Sequence, residues 1–317
     1  MFLSCGDALF DLFAGGEEAD VASIALSGRI GGSPLNVALG LARLGHPTAY
    51  FTKVSGDPFG LRIRAFLERE GIDQRFLIDT KRNTTLAMVS LSSAGTPRYD
   101  FYIEGTADRS IEPSEVPSAF PAELEAIHLA SYSTVTEPTA SALARLVAQE
   151  HGRRFISYDP NIRASIEPDL DIWRSRIGAT VPLASLVKAS EEDLEQVYPG
   201  RSTETVLADW LSAGAALAVV TLGENGAIAA TRSGITVRVP GRSITVADTV
   251  GAGDTFQAAL LAGLKESGHL SAEAAGSLNE DALRELLGFA VRAAAITCSR
   301  RGADLPRRAD LDLPSLA

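Results

Sequence analysis

Short apolar runs alternate with longer stretches of helical periodicity along most of this chain, and that alternation leaves few folds open. Runs at Thr48–Val54, Ala126–Ala130, Phe155–Tyr158, Leu186–Lys188 and Ala216–Leu222 read as buried strands. Between and around them, Pro34–Leu44, Pro58–Glu70, Pro138–His151, Thr203–Ala213, Asp254–Ser267 and Glu280–Ser299 repeat apolar residues at helical spacing. Strands separated by helices of this length imply βαβ units, so the expected class is α/β with a mainly parallel central sheet covered on both faces. Such sheets bind ligands beyond the carboxyl ends of their strands, which directs attention to the loops that follow strands.

One region departs from the pattern. Thr84–Leu91 and Arg98–Glu104 read as two strands joined by the turn segment Ser-Ser-Ala-Gly-Thr-Pro, a hairpin signal. The stretch Leu9–Ile30 is also short and loop-rich. Together they are expected to form a small β-sheet: residues 9–30 and 79–106 as a lid, with 1–8, 31–78 and 107–317 as the α/β core. No long linker, internal repeat or low-complexity tract interrupts the chain, and the Pro-containing Glu112–Pro121 reads as a connection.

Composition narrows the function classes. The chain has 317 residues, 45% of them hydrophobic and 22% charged, which is ordinary globular usage. Its formal net charge of −11 argues against non-specific binding to nucleic acid or an anionic membrane, which needs clustered Lys and Arg. A nucleotide substrate stays open, because backbone N–H groups and a bound cation hold phosphate locally. The two cysteines, Cys5 and Cys298, lie at opposite ends without a CxxC pairing, and the four histidines show no metal-ligand spacing. The first residues, MFLSCGDALFDLF, lack a basic n-region, and the longest apolar stretches are far shorter than the roughly 20 residues that span a bilayer. The expectation is a soluble, cytoplasmic chain.

The stretch Ile244–Leu261, ITVADTVGAGDTFQAALL, carries the most chemistry. A β-branched run, Ile244–Val246, leads to a Gly-Ala-Gly turn and then to an apolar helix starting near Asp254. Gly251 and Gly253 permit a tight turn. The N–H groups of Ala252, Gly253 and Asp254 then face an anion with the helix dipole behind them. Asp254 reads in two ways: as a helix N-cap, or as a carboxylate for proton transfer or cation binding. The Walker-A pattern GxxxxGK[ST] is absent from the sequence, which excludes a P-loop. A second stretch, GGSPLNVALGLARLG, runs from Gly31 to Gly45. Ser33 reads as its N-cap, Pro34 as the first helical residue, and Asn36 as a first-turn polar group.

Together these stretches resemble the ribokinase-like (PfkB-type) carbohydrate kinases. Gly31-Gly32-x-x-x-Asn36 with its Ala/Leu helix matches the N-terminal signature, and Asp248-Thr249-Val250-Gly251-Ala252-Gly253-Asp254-Thr255-Phe256 the C-terminal one. The resemblance implies a three-layer α/β sandwich with a small β-sheet lid. It implies Asp254 as catalytic base and Gly251, Ala252 and Gly253 as the anion hole for phosphoryl transfer. Asp11, Gly31, Gly32 and Asn36 are implied as sugar contacts, and Thr221, Gly223 and Gly226 as the loop on the ATP side. Lys188-Ala-Ser190-Glu-Glu-Asp193 occupies the place of the family's Asn-x-x-Glu motif. Ser190 there becomes a nucleotide contact and Asp193 a shorter acid facing Mg²⁺ through water, with Glu192 beside it. Asp248 and the Val250 carbonyl match positions around a monovalent cation such as K⁺ in some members. Val291 stands where many relatives place an adenine-side Asn. Sheets of this kind also clasp a second subunit in the family, so the lid is a candidate homodimer surface.

The sugar is less directly written. Asp159-Pro-Asn161-Ile-Arg163 resembles the DPNxR motif of fructokinases and 2-keto-3-deoxygluconate kinases, with Arg163 toward the sugar. Thr84-Thr85-Leu86-Ala87 and Ala107-Asp108 look more like fructokinases, which favours D-fructose phosphorylated on its 6-hydroxyl. A 2-keto-3-deoxygluconate kinase is the alternative within the class. Outside it stand a non-catalytic sensor, against which the intact Asp254 turn argues, and a nucleotide-dependent oxidoreductase, whose GxGxxG pattern GAGDTF does not complete.

Overall fold

The computed structural model describes residues 1–14, 22–91 and 97–314. Among these, nine strands form one sheet: β1 (Phe2–Cys5), β4 (Thr48–Ser55), β5 (Leu77–Thr80), β8 (Ala126–Ala130), β9 (Phe155–Asp159), β10 (Leu186–Ser190), β11 (Leu217–Thr221), β12 (Ala227–Thr231) and β13 (Thr236–Val239). Their order is β13-β12-β11-β10-β9-β8-β1-β4-β5. Every neighbouring pair from β5 to β11 is parallel, and at the other edge β12 pairs antiparallel with both β11 and β13. The parallel strands are apolar on both faces, as a sheet covered on both sides requires.

The covering layers follow from the amphipathic helices. On one face α3 (Thr139–Glu150), α4 (Leu170–Thr180), α5 (Glu191–Val197) and α6 (Thr203–Ala213) bury Leu143, Trp173, Leu194 and Trp210 against the strands. On the other face α1 (Ser33–Arg43), α7 (Ala252–Glu266), α8 (Ala272–Gly276) and α9 (Glu280–Cys298) bury Val37, Leu41, Leu260 and Leu287. The layer is completed near the sheet edge by α2 (Pro58–Arg69), which packs Ile63 and Leu67 under Leu35 and Tyr50. The expected three-layer sandwich is thus present.

The second sheet holds four strands in the order β3-β2-β6-β7: β2 (Leu9–Ala14), β3 (Leu26–Gly31), β6 (Thr85–Leu91) and β7 (Pro97–Tyr102). The two regions singled out as unlike the rest therefore pair with each other. Residues 15–21 of the lid segment and 92–96 of its hairpin turn lie outside the described residues. Strand β5 extends to Thr80 in the main sheet, two residues past the expected edge of the core segment. Phe101 packs on the main core, and Leu86 and Met88 on the cluster beneath α1 and α2.

Some expectations shift. Ile244–Val246 forms no strand; Ile244 and Val246 are exposed, so β-branching found no sheet edge to join. Helix α7 begins at Ala252, two residues before Asp254, with Gly251 as its N-cap in the left-handed region at φ 79°. Helix α1 begins at Ser33, and its N-cap is Gly32, at φ 116°. Ser33 and Asp254 are therefore inside their helices, and neither caps one.

Helices α1 and α7 approach closely because small residues meet between them. A Cβ on Gly40 would lie 2.6 Å from Ala258 Cβ and 2.9 Å from Leu305 Cδ2. Gly40→Leu is expected to force the two helices apart and to cost about 1–3 kcal/mol of stability, the usual penalty of overpacking. Urea denaturation followed by circular dichroism checks this; an unchanged midpoint contradicts the close packing.

Candidate active site

The site lies where two helix N-termini meet beyond the carboxyl ends of β9 and β10. Gly251 supplies the sharp turn, since only its φ 79° lets the chain enter α7, and a Cβ there would press on Ala303. The turn is tied down by Ala252 N–H donating to the Thr249 carbonyl and by Thr255 N–H and Oγ1–H donating to the Gly251 carbonyl. Of the three N–H groups expected to be open, Ala252's is thus engaged. Those of Gly253 and Asp254 have no acceptor among the described residues and point from a helix start.

Asp254 is buried and doubly held. Ser33 Oγ donates to its Oδ1 at 2.7 Å, and Asn36 Nδ2 donates to its Oδ2 at 2.8 Å. Burial pushes the carboxyl above the ordinary aspartate value. The two hydrogen bonds, and the charges of Lys188 and Arg163, pull it back. Asn36, expected at the sugar, therefore also holds Asp254; Ser33, taken from sequence for a cap, is the second partner of that carboxylate.

Around this pair the other expected residues gather. Asp11 on β2 packs its carboxylate against Gly31, where a Cβ would strike it. Burial raises Asp11 to about 6, with Arg163 acting in the opposite direction. Arg163 is exposed in the loop after β9, and its charge is felt by both Asp11 and Asp254. Gly32 fits against the Asp7 carbonyl so tightly that a Cβ is excluded. Asp11, Gly31, Gly32, Asn36, Arg163 and Asp254 thus belong to one region.

Ser190 and Thr221 are register partners at the ends of parallel strands β10 and β11. Gly223 and Gly226 bound the short turn that follows, both at positive φ. Asp193 is committed locally: its Oδ1 accepts from Ile162 N–H at 2.7 Å, its Oδ2 from the N–H and hydroxyl of Ser190. This carboxylate clamps the loop after β9 to the start of α5. With both oxygens engaged, it fits a water-mediated contact with a phosphate-bound Mg²⁺ and not direct ligation. Glu192 is exposed. Among the described residues no group of three or more His, Cys, Asp or Glu is placed to hold a metal. Asp248 accepts from Val250 N–H at 3.1 Å and from Gly302 N–H at 2.8 Å, which ties the turn before α7 to the loop at Gly302. Val291 is buried on α9 in the apolar layer behind α7.

Two polar groups that the sequence named only within motifs, with no role of their own, also lie in this region. Lys188 on β10 donates to Asp159 Oδ2 at 2.8 Å, an ion pair buried on both sides. The available signal was a lysine inside an otherwise apolar strand. Asp108, buried beneath the lid, accepts from Thr85, Thr106 and Tyr132. Burial raises its carboxyl while these hydrogen bonds lower it.

Comparison with known proteins agrees with this geometry. The model of the pfkB family of carbohydrate kinases matches residues 3–310. A fructokinase of Rhizobium leguminosarum bv. trifolii is 36% identical over 284 residues, covering 90% of this chain and 86% of the relative. A fructokinase of Escherichia coli is 32% identical over 316 residues, covering 97% and 96%. A crystal structure of a double-mutant fructokinase of Vibrio cholerae O395, in its fructose, ADP and potassium ion bound form, superposes with a TM-score of 0.83. It is 28% identical, with 98% of this chain and 96% of that one covered. On this evidence, with both signature stretches meeting at Asp254, the chain belongs to the pfkB family of carbohydrate kinases.

Proposed function

We propose that this chain is an ATP-dependent fructokinase that transfers the γ-phosphoryl group of ATP to the 6-hydroxyl of D-fructose, with Asp254 as the general base. The observation that carries this reading is the buried Asp254 carboxylate, held by Ser33 and Asn36 directly below two unspent helix N–H groups. A base must be fixed and basic enough to accept a proton, and burial supplies the second property. As the sugar oxygen attacks the γ-phosphorus, its proton passes to Asp254 and the bond from that phosphorus to the ADP oxygen breaks. The N–H groups of Gly253 and Asp254 donate to oxygen atoms on which negative charge concentrates. Asp193 would face a nucleotide-bound Mg²⁺ through water, and such an ion would supply charge neutralisation at the phosphates. The loop of Asp248 and Val250 takes K⁺.

Fructose is favoured because two fructokinase relatives exceed 30% identity over most of both chains, and because Thr85 and Asp108, in the fructokinase-like segments, meet beneath the lid. The four-stranded sheet covers the sugar, and its exposed Leu26 and Tyr102 suit a second copy of the chain. One observation favours an acidic sugar such as 2-keto-3-deoxygluconate instead. A cavity of about 550 Å³ beside Asp11 and Asn36 is lined by Arg29, Arg43, Arg62, Arg69 and Arg301. Arg43 is already paired with Glu70 and Asp304, which lowers the charge on offer. Assay of ADP release with both sugars decides: a higher kcat/KM for D-fructose is expected, and the reverse order moves the assignment to the acid.

Asp254→Asn is expected to fold normally, judged by circular dichroism, and to lose about 10²–10⁴-fold in kcat. Turnover within a few-fold of the parent enzyme removes Asp254 from this role.

The pH dependence has a defined sign. The ionised form of Asp254 is the active one, so kcat/KM falls as pH drops through its pKa. Burial places that midpoint above the ordinary aspartate range. Ser33→Ala deletes a hydrogen bond that lowers the pKa, so the acid limb of its profile should move to higher pH. A shift to lower pH contradicts the arrangement.

A further inference from the structure

Lys188 is the only buried lysine among the described residues. It occupies the third position of β10, where Leu186, Val187 and Ala189 are all fully buried. An apolar residue fills such a position more simply. Exchanging a buried ion pair for well-packed apolar groups is commonly neutral or stabilising, so fold stability alone does not account for this pair.

The surroundings of the ammonium suggest another reason. Its side chain is 5% exposed and that of Asp159 1% exposed, with 2.8 Å between Nζ and Oδ2. Asp159 Oδ1 is buried without a partner, so the pair is not arranged to satisfy its own carboxylate. A Cβ placed on Gly253 would lie 3.2 Å from Lys188 Nζ. The ammonium therefore rests against the turn whose N–H groups face the transferred phosphoryl group, and Gly253 leaves room for it. Apart from Asp159, no hydrogen-bond acceptor for the ammonium occurs among the described residues. Two of its three N–H donors remain.

We propose that Lys188 is a positioning residue for the phosphoryl transfer: anchored by Asp159, its ammonium backs the Gly251–Asp254 turn and holds Asp254 in its carboxylate form. This rests on the reading of Asp254 as the base. Asp254 is faced by Ser33 and Asn36 from α1, Lys188 from β10, Asp159 and Arg163 from the end of β9 and the following loop, and Tyr50 from β4. Of the two cations, Arg163 is exposed and screened by water, whereas Lys188 is buried and acts at low dielectric. Burial disfavours its charged form, but the carboxylates of Asp159, Asp193 and Asp254 outweigh that and keep it protonated. The same charge lies against Gly253 in that turn and offsets negative charge that builds beyond it.

The test separates this role from simple neutralisation of Asp159. Lys188→Met combined with Asp159→Asn removes both charges together, leaving no unpaired buried ion. The double variant is expected to keep the parental circular dichroism and sugar KM, to lose about 10²-fold in kcat, and to move the acid limb of kcat/KM up by about one pH unit. Parental kcat and pH profile in the double variant overturn the proposal. Lys188→Arg, which retains the charge, provides the second arm. Its acid limb should stay at the parental pH whatever its kcat, and an upward shift there also overturns the proposal. Asp254→Asn is assayed alongside. If it is inactive while the double variant behaves as the parent, the Lys188 role alone is lost. If Asp254→Asn turns over, the base reading falls and this proposal with it.

Discussion

The site depends on one buried carboxylate being shared by two helices that are more than two hundred residues apart in sequence. Ser33 and Asn36 at the start of α1 donate to the two oxygens of Asp254 in the first turn of α7. An ionised carboxylate without partners in this position is costly to bury, and two donors from a second helix supply the compensation. Such bonds form only if the helix starts stay in register. The contact of Gly40 with Ala258, one turn further along, fixes that register by letting the backbones approach. Packing between the helices and chemistry at their ends are thus one constraint.

The electrostatics of the site show why that constraint has its particular form. The role proposed for Asp254 requires a carboxylate that is ionised at working pH yet still has appreciable affinity for a proton. Burial acts in the second direction, and hydrogen bonds with nearby cations act in the first. Placing Asp254 at the third residue of α7, and not at the cap, gives both. The carboxylate turns inward toward α1, while the Gly253 and Asp254 N–H groups still open toward an anion. An aspartate at the cap position that Gly251 occupies would instead spend its side chain on those same N–H groups.

Much of this was legible in the sequence, for identifiable reasons. The parallel core strands and long helices announce themselves by period, and observed ends fall within two residues of the expected ones at Ala126–Ala130 and Thr203–Ala213. The two glycine-rich signatures are local and marked the right helix starts. What was not legible depends on which distant group a side chain meets. Ser33 carries every mark of an N-cap, and only the position of α7 makes it a donor to Asp254. Lys188 is a polar interruption of a strand whose meaning rests on Asp159, one strand away. The antiparallel pair β12 and β13 went unread because its short, weakly alternating segments resemble the loops around them.

The small sheet raises the same question of what holds it to the core. A four-stranded sheet with one apolar face needs the core to cover that face. Its apolar contacts reach two different clusters, Phe101 one and Leu86 with Met88 the other, which straddle the main sheet edge. Between them Thr85 of β6 donates to Asp108, which also accepts from Tyr132 near the end of β8. This buried polar junction sits at the first residue of β6, where the lid leaves the core, and the remaining strand extends away from it. Beside it β2 packs on the core through Leu9, Phe10 and Leu12, while Leu26 on β3 and Tyr102 on β7, the two outer strands, are exposed. In that geometry Asp11 on β2, paired with Ala87 on β6, is carried on the lid itself, whereas Asn36 and Asp254 stay on the core. On the proposed reading, a sugar held by all three joins lid to core, so the groups that recognise it also bring Asp254 and the reacting hydroxyl together.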